Sequence, residues 1–141
     1  MIRRATPSDV EALTALVLRA LVALDVGGLV ISGRKIEAEA KRLISDPSGF
    51  VLVNGEPING AIALQVRDGF FFERKVAGIV FWYAETPRTG YAMLRQAVQW
   101  CSERPVIKVV GMSMDFGGDE RIGTLLERVG LKCRGSVYAK N

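Results

Sequence analysis

A carboxylate, a Thr-Pro pair and a glycine-bearing turn follow one another in FWYAETPRTGYAMLRQA, the segment from Phe81 to Ala97. The apolar run ends at Glu85, and a helix is predicted to begin at about Gly90. A helix N-terminus leaves free N–H groups and the positive end of the helix dipole, which together bind anions such as phosphate. Gly90 and Ala92 are small enough for close approach to the backbone, and Arg88 can add a charge-assisted hydrogen bond. An ordinary strand-to-helix turn with a solvated arginine has the same residues, so both interpretations stay open.

Histidine is missing from the sequence, and its absence excludes two common kinds of site. Because histidine is the commonest general base and the commonest metal ligand, a Ser-His-Asp triad and a zinc site are excluded, and no metal is expected. The two cysteines, Cys101 and Cys133, are separated without CxxC spacing. We expect them to be buried and reduced.

The length and composition predict a single domain that spans residues 1–141. The chain has 49% hydrophobic and 24% charged residues, which is typical of a folded globular protein. No apolar run approaches the roughly 20 residues that span a bilayer, and the N-terminal residues lack the apolar core of a signal peptide. We therefore expect a cytoplasmic protein with no membrane partner.

The net charge of +4 favours anionic partners such as phosphates or nucleic acid. The excess is modest, however, and no more than two basic residues stand together anywhere in the chain. Nucleic-acid binding is therefore not expected to be the primary role.

Hydrophobic periodicity, helix caps and turn residues predict ten elements in the order β-α-α-β-β-β-α-β-α-β. They are a strand at 2–5, helices at 6–21 and 34–44, strands at 50–53, 58–66 and 76–85, a helix at 90–103, a strand at 106–114, a helix at 120–130 and a strand at 133–140. Antiparallel hairpins followed by alternating strands and helices predict an α+β fold with a mixed, mostly antiparallel sheet. No GxGxxG follows the first strand, so a doubly wound dinucleotide-binding fold is excluded.

This order of elements, with IRRATPSDVEALTAL opening the chain, resembles the GNAT family of N-acetyltransferases. The family's acetyl-CoA signature is Arg/Gln-x-x-Gly-x-Gly/Ala, and the segment PRTGYA at 87–92 matches it except at Pro87. Read from Arg88, the turn is one residue short, which is similar to acetyltransferase-like proteins of bacteriophages. The ending DERIGTLLERVGLKCRGSVYAK is also similar to the last helix and strand of those proteins.

The resemblance implies acetyl-CoA as the cofactor and places it residue by residue. The strand at 76–85 would diverge from the strand at 106–114, and the pantetheine arm would lie in the gap. Three residues would pair with the arm through their backbone groups: Phe81, Tyr83 and Ala84. The N–H groups of the turn would bind the pyrophosphate: Arg88, Thr89, Gly90, Tyr91 and Ala92, with Met93 at the edge of the set. Arg88 or Arg121 would reach the nucleotide phosphates.

Attack of an amine on a thioester needs a base that deprotonates the ammonium group. Glu85 is the first candidate, because it ends a buried strand beside the expected gap, where partial burial would strengthen it as a base. A solvated strand-end carboxylate, or an ion-pair partner for Arg88, is the alternative interpretation. Glu73 and Asp115 are weaker candidates.

The family often uses a tyrosine in the last helix as the acid for the leaving thiolate, and Leu126 stands at the matching position. Three explanations stay open. Tyr83, Tyr91 or Tyr138 can replace that donor; water can protonate the thiolate, since a thiol of pKa near 8.5 leaves without an acid; or efficient turnover has been lost.

The sequence thus predicts an N-acetyltransferase that moves an acetyl group from acetyl-CoA directly to a primary amine. A GNAT-fold module that holds CoA or a macromolecule without efficient turnover is the alternative. A small basic nucleic-acid-associated protein, borne by a phage, is a third hypothesis. The acceptor is not identified by any motif, and an exposed last strand would allow a homodimer.

Overall fold

The computed structural model describes residues 1–23, 30–69, 73–112 and 120–134. Five strands and four helices occupy these ranges in the predicted order. The strands are β1 (Ile2–Arg4), β2 (Gly49–Asn54), β3 (Gly60–Asp68), β4 (Lys75–Ala84) and β5 (Ile107–Met112), and the helices are α1 (Val10–Val22), α2 (Gly33–Ser45), α3 (Pro87–Ser102) and α4 (Glu120–Arg128). The predicted last strand, 133–140, falls almost wholly outside the described residues. None of the helices in the described ranges is long and apolar enough to cross a membrane.

The five strands form one sheet in the order β1-β2-β3-β4-β5. Each pair from β1 to β4 is antiparallel, and β4 pairs with β5 in parallel. The connection between these two parallel strands is α3, as a parallel crossover requires. The prediction of an α+β fold with a mixed, mostly antiparallel sheet is confirmed.

The helices cover both faces of the sheet. The face under α3 and α4 buries one apolar cluster, which includes Ile62, Leu64, Met93, Leu94 and Leu126. The face under α1 and α2 buries a second cluster, which includes Leu13, Leu16, Leu43, Val51 and Val53. Membership of a cluster therefore tells on which face of the sheet a strand side chain lies.

A buried carboxylate fixes the start of α1 next to β1. Asp9, which immediately precedes α1, accepts hydrogen bonds from both terminal nitrogens of Arg3, at 2.7 and 2.8 Å, and from the backbone N–H of Thr6 at 2.8 Å. These donors hold the pKa of Asp9 well below its usual range, with the Arg3 hydrogen bond as the largest cause and burial acting against it. The Asp9 carboxylate thus fastens the turn before α1 to β1, and it places a negative charge beside the helix N-terminus without accepting an N–H of α1 itself.

The end of α4 is closed by a glycine, as the sequence predicts. Gly130 adopts φ of 95°, a left-handed conformation in which glycine is favoured. Its N–H donates to the carbonyl of Glu127, and the N–H of Leu131 donates to the carbonyl of Leu126, both at 3.0 Å. This pair of bonds is a Schellman motif, which satisfies carbonyls at a helix end and packs Leu131 beside the core.

One extra residue interrupts the pairing of β4 with β3. Leu64 pairs with Ile79 and Ala63 pairs with Phe81, so Val80 has no counterpart in β3. A β-bulge of this kind shifts the alternation of side chains by one position.

The bulge changes the face on which the following aromatic residues lie. Ile79 and Trp82 belong to the cluster under α3, whereas Phe81 and Tyr83 pack against the cluster under α1 and α2. A regular strand would have placed Ile79, Phe81 and Tyr83 on one face. Val80 itself is 57% exposed.

Candidate functional site

The second half of β4 has one open edge among the described residues. Its pairing with β5 ends at Ile79 and Met112, whereas its pairing with β3 continues to Ala84. Residues 80–84 thus extend beyond the described part of β5. The sequence predicts the gap between the two strands at this place, and the end of the predicted partner strand, residues 113–114, lies outside the described residues.

Backbone hydrogen bonds show which residues of β4 point toward this edge. Before the bulge, the carbonyl of Arg74 accepts the N–H of Gly69, the residue after β3, and the N–H of Lys75 donates to the carbonyl of Val106, the residue before β5. After the bulge, the N–H of Glu85 donates to Asn59, on the β3 side. The odd-numbered residues therefore face β5 before Val80 and β3 after it, because successive residues alternate in direction.

This alternation separates the predicted pantetheine partners. The backbone groups of Ala84 point toward the open edge, as the prediction requires, while those of Phe81 and Tyr83 point toward β3. Trp82, which sequence reasoning passed over, presents its N–H and carbonyl to the open edge. The missed signal is the bulge, because the uninterrupted apolar run of β4 hides an insertion of one residue.

Helix α3 begins at Pro87, three residues before the predicted start. Thr86 is its N-cap, and proline is suited to the first helical position because it needs no N–H partner there. The Thr86 hydroxyl accepts the N–H of Thr89 at 3.3 Å, and the N–H of Gly90 already donates to the Thr86 carbonyl at 3.0 Å. The first-turn donors left for an anion are therefore Arg88 N–H and, in exchange for a long cap bond, Thr89 N–H.

The other predicted pyrophosphate residues lie inside the helix. Gly90 is its first intrahelical donor, and Tyr91 and Ala92 follow it as half-buried residues. Met93 is fully buried in the core. Because the helix starts earlier than predicted, the N–H groups of these residues belong to its interior. Fewer N–H groups are therefore free to bind an anion than the sequence predicts.

Gly90 lies against the end of β4, a contact that the sequence did not suggest. A Cβ at this position would lie 3.5 Å from the Cβ of Ala84 and 3.7 Å from Nε1 of Trp82. The position faces the end of β4, and a Cβ there would make ordinary van der Waals contacts, so the packing of α3 on β4 does not require glycine. The Trp82 indole N–H donates to the Gly90 carbonyl at 2.9 Å, which ties the strand to the helix.

Glu85, the candidate base, lies at the mouth of the open edge and is half exposed, at 49% of its side chain. The burial expected from the sequence is therefore smaller in the structure. Its ion-pair partner is Arg19, in the last turn of α1, at 3.6 Å, rather than Arg88. Glu73 is exposed, and Asp115 lies outside the described residues.

The candidate acids are distributed differently. Leu126, at the position where the family has tyrosine, is buried with 9% exposure and serves the core. Tyr83 is half-buried on the face of α1 and α2, and Tyr91 is half-buried on α3 with Arg95 at 5.9 Å from its ring centre. Tyr138 lies outside the described residues. Arg88 and Arg121, the two candidates for the nucleotide phosphates, are both exposed.

The two cysteines differ from each other. Cys101 and Cys133 form no disulfide with each other, and Cys101 is buried whereas Cys133 is exposed. Burial raises the pKa of Cys101 to about 11. The expectation of a buried pair is thus wrong for Cys133, because spacing in a sequence does not report the exposure of a residue after the last helix.

No protein-family model and no curated protein matches the sequence. Solved structures do match the fold. A protein from Clostridium difficile 630, described as a possible acetyltransferase, matches with a TM-score of 0.79 and 12% identity over 100% of this chain and 96% of its own. A "predicted acetyltransferase with acetyl-CoA" from Clostridium acetobutylicum matches with the same TM-score and identity over 100% and 95%. An integron cassette protein from the mobile metagenome of Cole Harbour Salt Marsh matches with a TM-score of 0.77 and 16% identity over 99% and 88%. At these identities the likeness shows the fold, which is the GNAT fold.

Proposed function

We propose that the protein is an N-acetyltransferase that moves an acetyl group from acetyl-CoA directly to a primary amine. The observation that carries the proposal is the edge of β4 after Ile79, which the described part of β5 does not cover, beside the start of α3. Backbone groups suited to an extended amide chain lie there next to a helix N-terminus without an acid of its own. The fold shared with a protein crystallised with acetyl-CoA supports the same ligand.

The residues at this edge fit the chemistry of acetyl-CoA. The N–H and carbonyl groups of Trp82 and Ala84 would hold the amides of the pantetheine arm as a neighbouring strand would. The N–H groups of Arg88 and Thr89, together with the Arg88 guanidinium, would hold the pyrophosphate. The edge of β4 thus offers hydrogen bonds to amides, and the first turn of α3 offers N–H groups and a positive charge to an anion. A neutral ligand would not need the second group of contacts.

Acetyl-CoA, when bound, supplies an acetyl group on a thiol leaving group. Glu85 would accept the proton that the acceptor's ammonium group must lose before its nitrogen can form the new C–N bond. N–H groups along the open edge would polarise the acyl carbonyl. As the C–S bond breaks, the new amide nitrogen gives its second proton to water and the departing sulfur takes one from water, since the buried side chain of Leu126 has no proton to donate.

A reducing compartment fits this function. Cys101 and Cys133 are not joined by a disulfide, as is usual in the cytosol. We therefore extend the proposal to a cytoplasmic enzyme.

The test combines ligand-induced stabilisation with release of free thiol. Acetyl-CoA at about 100 times its Kd should stabilise the protein by about 2.7 kcal/mol, since it binds only the native state. A thiol reagent should then detect CoA when a panel of primary amines is added. Adenosine diphosphate and pantetheine separate the two halves of the site, because each should give a smaller shift than the intact ligand.

The same test distinguishes an enzyme from a module that binds CoA without efficient turnover. The packing of Leu126 in the core favours slow turnover, since no acid stands at that position. A thermal shift with acetyl-CoA but no thiol from any amine would leave a CoA-binding module as the function. If millimolar acetyl-CoA gives no shift, the site itself is refuted.

A further inference from the structure

An exposed ion pair lies at the mouth of the open edge. Arg19 Nη2, at the end of α1, is 3.6 Å from Oε1 of Glu85, the residue that follows β4. The same nitrogen donates to the carbonyl of Ile58 at 3.4 Å. The two charged side chains are 53% and 49% exposed, so both are accessible to a ligand.

The Arg19–Glu85 pair is held more loosely than the other cross-element pairs of the described chain. Arg3 and Asp9 form two hydrogen bonds at 2.7 and 2.8 Å. Lys75 and Asp68, on neighbouring strands, approach to 2.6 Å. An exposed pair at 3.6 Å, with no side-chain hydrogen bond between its members, contributes little to stability. Both members can therefore exchange their partners for groups of a ligand.

Partly exposed apolar groups lie around the pair. Phe81 and Tyr83 precede Glu85 in β4 and are half-buried on the face of α1 and α2. Val22, one turn after Arg19, is 82% exposed. An aliphatic or aromatic group would find apolar contacts here.

The arrangement of charges selects among amines. An amine without a carboxylate can pair its ammonium group with Glu85, but it then displaces Arg19 and leaves the guanidinium of Arg19 without a partner. A molecule that carries a carboxylate beside its amine replaces both partners at once, since its carboxylate pairs with Arg19 and its ammonium with Glu85. Guanidinium also matches a carboxylate with two parallel hydrogen bonds.

We propose that the acetyl acceptor is an amino acid with an apolar side chain, bound through Arg19 at its carboxylate and through Glu85 at its amine. This inference rests on the proposed acetyltransferase function. Arg19 is a binding residue that determines specificity, and Glu85 receives the proton as described above.

The test compares an amino acid with the amine that lacks only its carboxylate. Phenylalanine with phenethylamine, and leucine with isoamylamine, are matched in this way. We expect kcat/KM for thiol release to be about tenfold or more higher for the amino acid, because a charge-assisted bidentate contact is lost in the amine. Arg19→Gln should remove most of this preference by raising KM for the amino acid, so that its kcat/KM approaches that of the amine.

Two further variants make the result specific. Arg19→Lys keeps the charge but loses the planar fork, so it should retain part of the preference. Arg42, in the last turn of α2, forms another exposed pair with Glu39, and Arg42→Gln should leave the preference for the amino acid unchanged. All three variants should keep the thermal shift with acetyl-CoA.

The inference and the proposed function fail in different ways. If the amines react as well as the amino acids, or if Arg19→Gln leaves the preference intact, the inference is overturned while the enzyme stands. If no amine releases thiol, calorimetry on the CoA-loaded protein replaces the kinetic assay. Phenylalanine must then bind about tenfold more tightly than phenethylamine, in a manner that depends on Arg19, or the inference is wrong as well.

Discussion

Helices α1 and α3 begin in opposite ways. At the start of α1, the carboxylate of Asp9 accepts the N–H of Thr6 and is paired with Arg3 by two short hydrogen bonds. At the start of α3, the first turn has no acid, and a threonine cap bonds the N–H of Thr89 only at 3.3 Å. One N-terminus thus has a carboxylate of the protein beside it, and the other is held only by a weak neutral cap.

The contrast suggests why only one of these helix starts suits a ligand. The N-terminus of any helix favours a negative charge. In α1 that charge is covalently part of the chain, and it fastens the helix to β1. In α3 the same favourable position is left for a group from outside, beside the open edge of β4. Stability is therefore expected to depend on the first helix start, and binding of acetyl-CoA on the second.

The largest expected effect is a loss of stability at the start of α1. Asp9→Asn should lower the free energy of unfolding by roughly 2 kcal/mol at pH 7, because it removes the charge from hydrogen bonds to Arg3 at a buried position. Urea unfolding measures the loss, and the thermal shift with acetyl-CoA should be unchanged. Glu11→Gln, an exposed acid in the first turn of α1, is the control and should cost much less.

The pH dependence of this loss of stability tests whether the charge of Asp9 causes it. The pKa of Asp9 is lowered in the folded protein, so its contribution is fully present above the unfolded value, about 3.9, and is lost as the pH falls toward the folded value. The difference between the wild type and Asp9→Asn should therefore shrink between pH 5 and pH 2.5. A constant difference across this range would assign the loss to packing instead of charge.

The order of elements could be predicted from the sequence because each element has its own local signals. Alternating apolar residues, Asn54-Gly55 between two strands and Gly130 after a helix all act through nearby backbone geometry. The fold class followed from that order. The start of α3 also has a local signal, since threonine is a favoured N-cap and proline a favoured first helical residue, and Thr86-Pro87 precede the predicted start at Gly90.

The site was harder to predict because its decisive features are not local. The bulge at Val80 inserts one residue into the apolar run VAGIVFWYA. Because the run would be apolar with or without that residue, its sequence does not reveal the insertion. The bulge exchanges the backbone directions of Phe81 and Trp82, and only the pairing with β3 reveals this. Arg19 and Glu85 lie far apart in the chain and meet only because α1 ends beside the end of β4.

An intermediate effect is expected when α3 is given a charge of its own, as α1 has. Thr89→Asp places a carboxylate in the first turn, where it suits the helix dipole, so the unliganded protein should keep its stability. Repulsion of the pyrophosphate should weaken acetyl-CoA binding about tenfold or more, seen as loss of most of the thermal shift. Gln96→Asp, at an exposed position farther along α3, should keep the shift. Equal losses in both variants would indicate a general charge effect and place the phosphates elsewhere.

The smallest expected effect comes from the weak cap itself. Thr86→Ala should cost about 1 kcal/mol or less in the unliganded protein, because it removes the 3.3 Å bond to Thr89 N–H. With saturating acetyl-CoA the cost should nearly vanish, since a phosphate oxygen would then accept that N–H in place of the threonine hydroxyl. Urea unfolding with and without the ligand measures both values. If the cost is the same in the two conditions, the first turn of α3 does not exchange its cap for the ligand, and the contrast between the two helix starts is structural only.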